Sequence, residues 1–193
     1  MGKTKIPYAT FVWSPTSGCE AVNAGCTHCW ARNMVHRFPI LGNPDDTDSF
    51  VPTVHQYRFD EPNVWKSGVV AVSFLGDLFH EDIDSYEIEK IFDVMARNKQ
   101  LQFLVLTKRP ARMRMFFDFY RSISNKASWA QDISNIWAGV SVTGHGDTQM
   151  IRELIGTKAD HLWLSVEPIL ASLDLMHLVY DRYTIMNVLE GCG

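Results

Sequence analysis

Three cysteines, Cys19, Cys26 and Cys29, crowd into the stretch SGCEAVNAGCTHCWARNM (17–34) of a 193-residue chain that has only four, the last being Cys192. A Cys-x2-Cys pair lets two thiolates converge on one metal, and a third thiolate on the same loop fills a third tetrahedral corner. Two chemistries use such a set. A structural zinc ion takes a fourth protein ligand, for which His28, His36 and Cys192 are candidates. An iron–sulfur cubane is normally held by four cysteines, so three would leave one iron open to a small molecule and point to catalysis. Spacing alone leaves both open, alongside plain unliganded thiols. Gly18 and Gly25 precede two of the cysteines and ease the tight turns that such a loop needs.

Other residues with chemical potential are fewer. The run TKRPARMR (107–114) gathers Lys108, Arg109, Arg112 and Arg114, which suits a solvated helix start or a contact to phosphate or carboxylate. The triplet His80, Glu81 and Asp82 reads either as loop packing or as an acid–base or second metal site. No second histidine follows at the H-E-x-x-H spacing, which removes a zincin reading. Neither a G-x-S-x-G elbow nor a phosphate-binding P-loop occurs, so hydrolase and NTPase chemistry are not indicated.

These residues must be held by a fold, and the apolar pattern predicts one. Runs at 11–14, 69–75, 101–108, 136–142, 161–168 and 183–189 are nearly continuous in Val, Leu, Ile, Phe and Trp, as in parallel strands covered on both faces. Helical periodicity falls between them. Asp84 with Glu87 forms a capping box ahead of Ile88, Ile91, Phe92 and Met95. Pro110 opens a helix carrying Met113, Phe117 and Tyr120. Asp147 caps one with Ile151, Leu154 and Ile155 inward, ended by Gly156. Trp30, Met34 and Phe38 form a stripe expected to pack into the core.

The β-α alternation predicts an α/β fold with a parallel sheet. No G-x-G-x-x-G follows a strand, which weakens a dinucleotide-binding sheet. An eight-unit barrel uses roughly 31 residues per unit, so about 190 residues suit a partial (β/α)6 TIM-like barrel, open or truncated at its C-terminus. The expectation is a single domain over 1–193 with a surface insertion at 39–66, rich in Pro, Asp and Thr.

Composition excludes other classes. Hydrophobic residues make up 46% and charged residues 21%, an ordinary globular mixture. No apolar run spans a bilayer and no secretory h-region follows the N-terminal lysines, so a cytoplasmic, reducing setting is expected, where clustered thiols serve metal or redox chemistry. A net charge of −4 argues against a generally basic nucleic-acid coat protein.

The stretches WSPTSGCEAVNAGCTHCWA, GDLFHEDI, FLVLTKRPARM, IWAGVSV and LWLSVEPIL, in this order from Trp13 to about Leu175, resemble a phage- and prophage-borne family of unknown function. That family carries a three-cysteine motif like that of the radical S-adenosylmethionine (SAM) enzymes. The usual radical-SAM spacing is Cys-x3-Cys-x2-Cys, and the first gap here is longer. His28 stands where an aromatic residue commonly precedes the third cysteine. Family members continue beyond LEGCG, where this chain stops, so a shortened member or a fragment is expected.

The resemblance implies a mechanism. Cys19, Cys26 and Cys29 would ligate three irons of a [4Fe–4S] cluster, and the amino and carboxylate groups of SAM would chelate the fourth. One electron from a reductant protein would cleave SAM to a 5′-deoxyadenosyl radical that abstracts hydrogen from a substrate. Gly76 and Asp77 would hold the SAM amino group, and Lys108 its carboxylate. Ser141 and Glu167 would line the cavity toward ribose or substrate, with Arg109 a candidate partner for Glu167. A phage setting (the host cytoplasm) suggests a nucleotide or nucleic-acid substrate. Two rival expectations are a zinc-stabilised binding module without catalysis and an inactive shortened homologue acting through a partner protein.

Overall fold

A computed structural model describes residues 4–123, 131–173 and 185–188, the last as backbone only. In chain order the strands are β1 (Phe11–Trp13), β2 (Thr16–Ser17), β3 (Thr53–Val54), β4 (Gly68–Val72), β5 (Leu101–Thr107), β6 (Ile136–Val142), β7 (His161–Val166) and β8 (Ile185–Val188). Six of them form one sheet of order β1-β4-β5-β6-β7-β8, every neighbouring pair parallel. Strands β2 and β3 make a short antiparallel pair beside it. Each of the six apolar runs in the sequence carries one strand of the parallel sheet. The order runs in one direction, without the reversal that marks a doubly wound sheet.

Helices α2 (Ser85–Arg97), α3 (Pro110–Ser122) and α4 (Thr148–Gly156) connect successive strands. Their inward residues meet one face of the sheet. Ile88, Ile91, Phe92 and Met95 of α2, Met113, Phe117 and Tyr120 of α3, and Ile151 and Leu154 of α4 join Phe103, Val105, Ala138, Val140 and Leu164 in one core. Full burial of each large side chain is worth about 1.5–3 kcal/mol, which holds these helices on the sheet despite modest lengths. The expected start signals differ in detail. The Asp84 side chain caps α2 by accepting from Tyr86 N at 2.7 Å, and Pro110 is the first residue of α3. Glu87 completes no capping box, because its carboxylate accepts from Lys90 and Gln56 instead. Asp147 makes no side-chain cap to α4; its carboxylate accepts from Thr143 N and Oγ1 at 2.6 and 2.7 Å.

One expectation fails outright. Helix α1 (Trp30–Arg37) does not bury Trp30, Met34 and Phe38; all three are exposed. The helix instead buries Ala31 and Val35 against Phe50 and Leu75 in a small second cluster. Two adjacent i, i+4 stripes compete in this sequence, and periodicity alone cannot say which one meets the body of the protein.

The cysteine loop is fastened to the sheet by backbone contact. Gly18 and Gly76 form an isolated parallel bridge, with Gly18 N donating to Leu75 O at 3.0 Å and Asp77 N to Gly18 O at 3.3 Å. Gly18 sits at φ +80°, where other residues are strained. A Cβ on Gly76 would stand 2.5 Å from Gly18 O and 2.6 Å from Gly18 N. Gly76→Ala should therefore destabilise the fold by about 1–3 kcal/mol, as overpacking against immovable backbone does. Gly146→Ala, where an added Cβ meets nothing within 4 Å, should stay within about 0.5 kcal/mol. Urea denaturation of both variants checks the contrast.

Candidate functional site

The site assembles where three segments meet at the C-terminal ends of the parallel strands. Cys19 follows the Gly18 bridge, and its own N–H donates to Phe50 O at 3.2 Å. Cys26 ends a 3-10 turn, Ala24–Cys26, that Asn23 caps by accepting from Gly25 N at 3.1 Å. Asn23 Nδ2 also reaches Asp147 Oδ1 at 3.4 Å, which ties the turn to the segment after β6. Cys29 is the N-cap residue of α1 but makes no side-chain cap bond, so its thiol is not consumed in starting the helix.

The other two contributors are the loop after β4, which carries Asp77, and the turn between β5 and α3, which carries Lys108 and Arg109. Asp77, 4% exposed, accepts four hydrogen bonds. Its Oδ1 takes Phe79 N at 2.9 Å and Thr107 Oγ1 at 2.7 Å. Its Oδ2 takes Lys108 N at 3.1 Å and Arg109 Nη1 at 3.4 Å. A carboxylate has about four lone-pair sites, so this one is saturated. Arg109 Nη1 also lies 3.2 Å from Cys19 Sγ, Nε donates to Glu81 at 2.9 Å and Nη2 reaches Glu20 O at 3.4 Å. Lys108 Nζ lies 3.6 Å from Cys26 Sγ. Consecutive residues thus set one cation on each of two cysteines.

The two thiols differ in acidity. Burial, with the Asp77 carboxylate adding to it, raises the Cys19 pKa to about 11 against the opposing pull of Arg109. Burial also pushes Cys26 upward, but hydrogen bonds from the Val22 and Asn23 backbone, together with Lys108, outweigh it and lower its pKa below the usual thiol value. Among the described residues, no three His, Cys, Asp or Glu side chains crowd closely enough to hold a single metal ion.

A family model matches residues 3–191, almost the whole chain. The chain belongs to DUF5131, described as a protein of unknown function. No curated protein and no solved structure matches it. Among the described residues of this DUF5131 protein no helix is long and apolar enough to cross a membrane.

The remaining candidates fall around this centre or away from it. Gly76 lies in the bridge beneath Cys19. Ser141 is buried and donates to Glu167 O at 3.3 Å, so the ends of β6 and β7 bring these two together. Arg109 goes to Asp77 and Glu81 rather than to Glu167, a correction that follows from which strand ends are neighbours. The triplet at 80–82 splits: Glu81 pairs with Arg109, whereas buried His80 accepts from Asp82 N through Nδ1. Arg112 and Arg114 bond Ile83 O and Glu153, away from the cysteines. Of the proposed fourth zinc ligands, His36 bonds Asp48 at 2.9 Å, His28 is exposed, and Cys192 lies outside the described residues. The sequence reading missed Asn23, Thr143 and Asp147 as holders of the Cys26 turn. The only signal available was the Asx-turn habit of Asn23 before Gly25.

In the metal-free DUF5131 protein, iodoacetamide at pH 8 should label Cys26 at least about tenfold faster than Cys19, because only the thiolate attacks and a pKa near 11 leaves very little of it on Cys19. Peptide mass spectrometry reads the order, and equal rates would contradict it. Asp77→Ala should cost about 3–5 kcal/mol in urea denaturation, the usual penalty when one partner of a buried ion pair is removed.

Proposed function

We propose that this DUF5131 protein is a radical-SAM-type [4Fe–4S] enzyme, built on a partial (β/α)6 barrel and working in the reducing cytoplasm, of the host where it is phage-encoded. The observation that carries the reading is the pair of cations, Arg109 on Cys19 and Lys108 on Cys26, at the C-terminal ends of sequentially ordered parallel strands. Parallel α/β folds build their sites at that end. Metal ligation requires thiolates, and metal displaces the proton that a thiol such as Cys19 otherwise keeps. Three thiolates on one loop would then need the positive charge that Arg109 and Lys108 bring to Cys19 and Cys26.

The donor set suits a cluster better than one ion. A cubane spreads its cysteines over separate irons, so it does not ask the sulfurs to converge on one point as zinc does. A bound cluster would supply one-electron reduction of SAM, the chemistry that starts hydrogen abstraction from a substrate.

The chain's own residues position and tune. Cys19, Cys26 and Cys29 would hold the irons. Asp77 positions Arg109 and fixes the β5–α3 turn, while Gly76 lets the cysteine loop approach the sheet. Lys108 offers its ammonium to the SAM carboxylate beside Cys26. Ser141 and Glu167, joined at the ends of β6 and β7, would serve the ribose or a nucleotide-class substrate. A second reading, a zinc-bearing or inactive homologue that acts through a partner, draws support from one observation. Asp77, the residue expected to meet the SAM ammonium, already has all its lone pairs engaged.

Anaerobic reconstitution should give about four irons per chain, and SAM with dithionite should yield 5′-deoxyadenosine. Cys26→Ala should abolish both. One zinc and no iron would overturn the cluster, and a cluster without SAM cleavage would favour the second reading. Arg109→Gln should lower the cluster's reduction potential by on the order of 60 mV, a tenfold shift in a one-electron equilibrium, because a charged hydrogen-bond donor to a ligating sulfur is removed. An electron paramagnetic resonance redox titration measures it, and Arg109→Lys should recover part of the shift.

A further inference from the structure

We propose that Phe74, backed by Trp163, is a stacking platform for a nucleobase ring at the C-terminal end of the sheet. The inference deepens the enzyme reading above and rests on it for the ring's part in a reaction. Val72, Val105, Val140 and Leu164 belong to the core beneath the helices. Side chains alternate along a strand, so Ala71, Gly139, Trp163 and Ser165 face the other side of the sheet. Continued alternation would send Phe74 the same way as Val72. Its ring instead stacks on Trp163, with centroids 6.4 Å apart and planes 17° from parallel.

The change of side begins at Ser73, the residue after β4, whose φ of +56° is left-handed. A residue with a side chain is strained there, and such strain persists only where neighbours over-determine it. Ser73 N donates to Trp13 O at 2.8 Å, and Ser73 Oγ accepts from Thr16 Oγ1 at 2.8 Å. Trp163 is fixed as firmly. It lies against Gly139 of the neighbouring strand, where a Cβ would stand 2.2 Å from its Nε1. That Nε1 donates to Val105 O at 3.2 Å. Strain and fixed aromatics of this kind collect at ligand sites. Burial separates the two rings: Trp163 is 1% exposed, whereas Phe74 is only half-buried. Phe74 also stands two residues before Gly76, whose bridge to Gly18 holds the start of the cysteine loop.

The surroundings select the ring. Any planar group can stack on Phe74, and the polar neighbours decide which one gains most. Ser165 lies two residues beyond Trp163 on the same face and pairs in register with Ser141, and Lys108 follows the end of β5. A nucleobase carries donors and acceptors around its edge for such groups, as a phenyl ring does not. Stacking on an aromatic side chain tolerates every base, because each has a π-face. A net charge of −4 provides no track for the phosphates of a polymer, so the ring belongs to a single nucleoside or nucleotide. Two molecules carry such a ring, the substrate and SAM itself, and the test separates them.

The test uses the full metal-free chain and calorimetry with adenosine, guanosine, cytidine and uridine, with ribose as the ring-free control. At least one nucleoside should bind where ribose does not. Phe74→Leu keeps apolar bulk but loses the flat ring, so it should bind that nucleoside at least about tenfold more weakly. Phe74→Tyr keeps the ring and should stay within about threefold of the parent. Circular dichroism should be unchanged in both variants. Adenosine displaced by SAM, with the other three silent, assigns the platform to the cofactor's adenine; any other pattern of binding assigns it to the substrate. Equal affinity in the parent and Phe74→Leu would overturn the proposal, as would a parent that binds no nucleoside better than ribose. Failure to form the cluster or cleave SAM counts against the enzyme reading alone, because nucleoside binding is measured without metal.

Discussion

The buried pair Asp77–Arg109 is the interaction on which the rest of the site depends. Both side chains are almost fully buried, and two charges taken out of water are stable only with good geometry and full hydrogen bonding. The chain meets that condition by drawing partners from several segments. Phe79 N, Thr107 Oγ1 and Lys108 N satisfy the carboxylate. Glu81, Glu20 O and Cys19 take what the guanidinium has left. A network of this kind is worth little as net stability, but it permits one arrangement of three loops. The loops after β2, β4 and β5 are therefore registered to each other by polar contacts, while the helices behind them are held by apolar ones.

The same network explains why neighbouring thiols differ. Cys19 shares Arg109 with Asp77, so the cation's charge is largely answered before the thiol can use it. Burial then dominates, and the proton stays on at neutral pH. Cys26 lies on a shallower turn with backbone donors and Lys108 nearby, and ionises more readily. Ligation in both cases replaces a proton by metal, which makes loading favour higher pH, more strongly at Cys19 than at Cys26.

How much of this could be read in the sequence follows from the range of each interaction. The six strands were legible because an apolar run covered on both faces is local information, and so was the start of α3 at Pro110. Spacing alone places the three cysteines on one loop, yet among the described residues they do not crowd onto a single point. The partner of Arg109 was not legible, since Asp77 and Glu81 reach it only because β4 and β5 are adjacent. Asp147 looks like a helix cap by position, yet its carboxylate serves Thr143 and Asn23, which no local pattern announces. Helix α1 defeats periodicity for a different reason. Its buried face is only Ala31 and Val35, the less apolar of the two stripes, so hydrophobicity points the wrong way.

That inversion has a physical cause in the cysteine loop itself. Cys29 is the N-cap residue of α1 and Gly18 anchors the loop's other end, so the loop constrains where the helix starts. With Phe50 and Leu75 packed beneath it, the near side accepts only small or β-branched residues such as Ala31 and Val35. Burying positions 30, 34 and 38 instead would require α1 to turn about its axis while the loop stays held at the Gly18–Gly76 bridge. The geometry of the thiol loop thus takes precedence over the burial of Trp30, Met34 and Phe38, and an ordinary core preference gives way to the placement of three sulfurs.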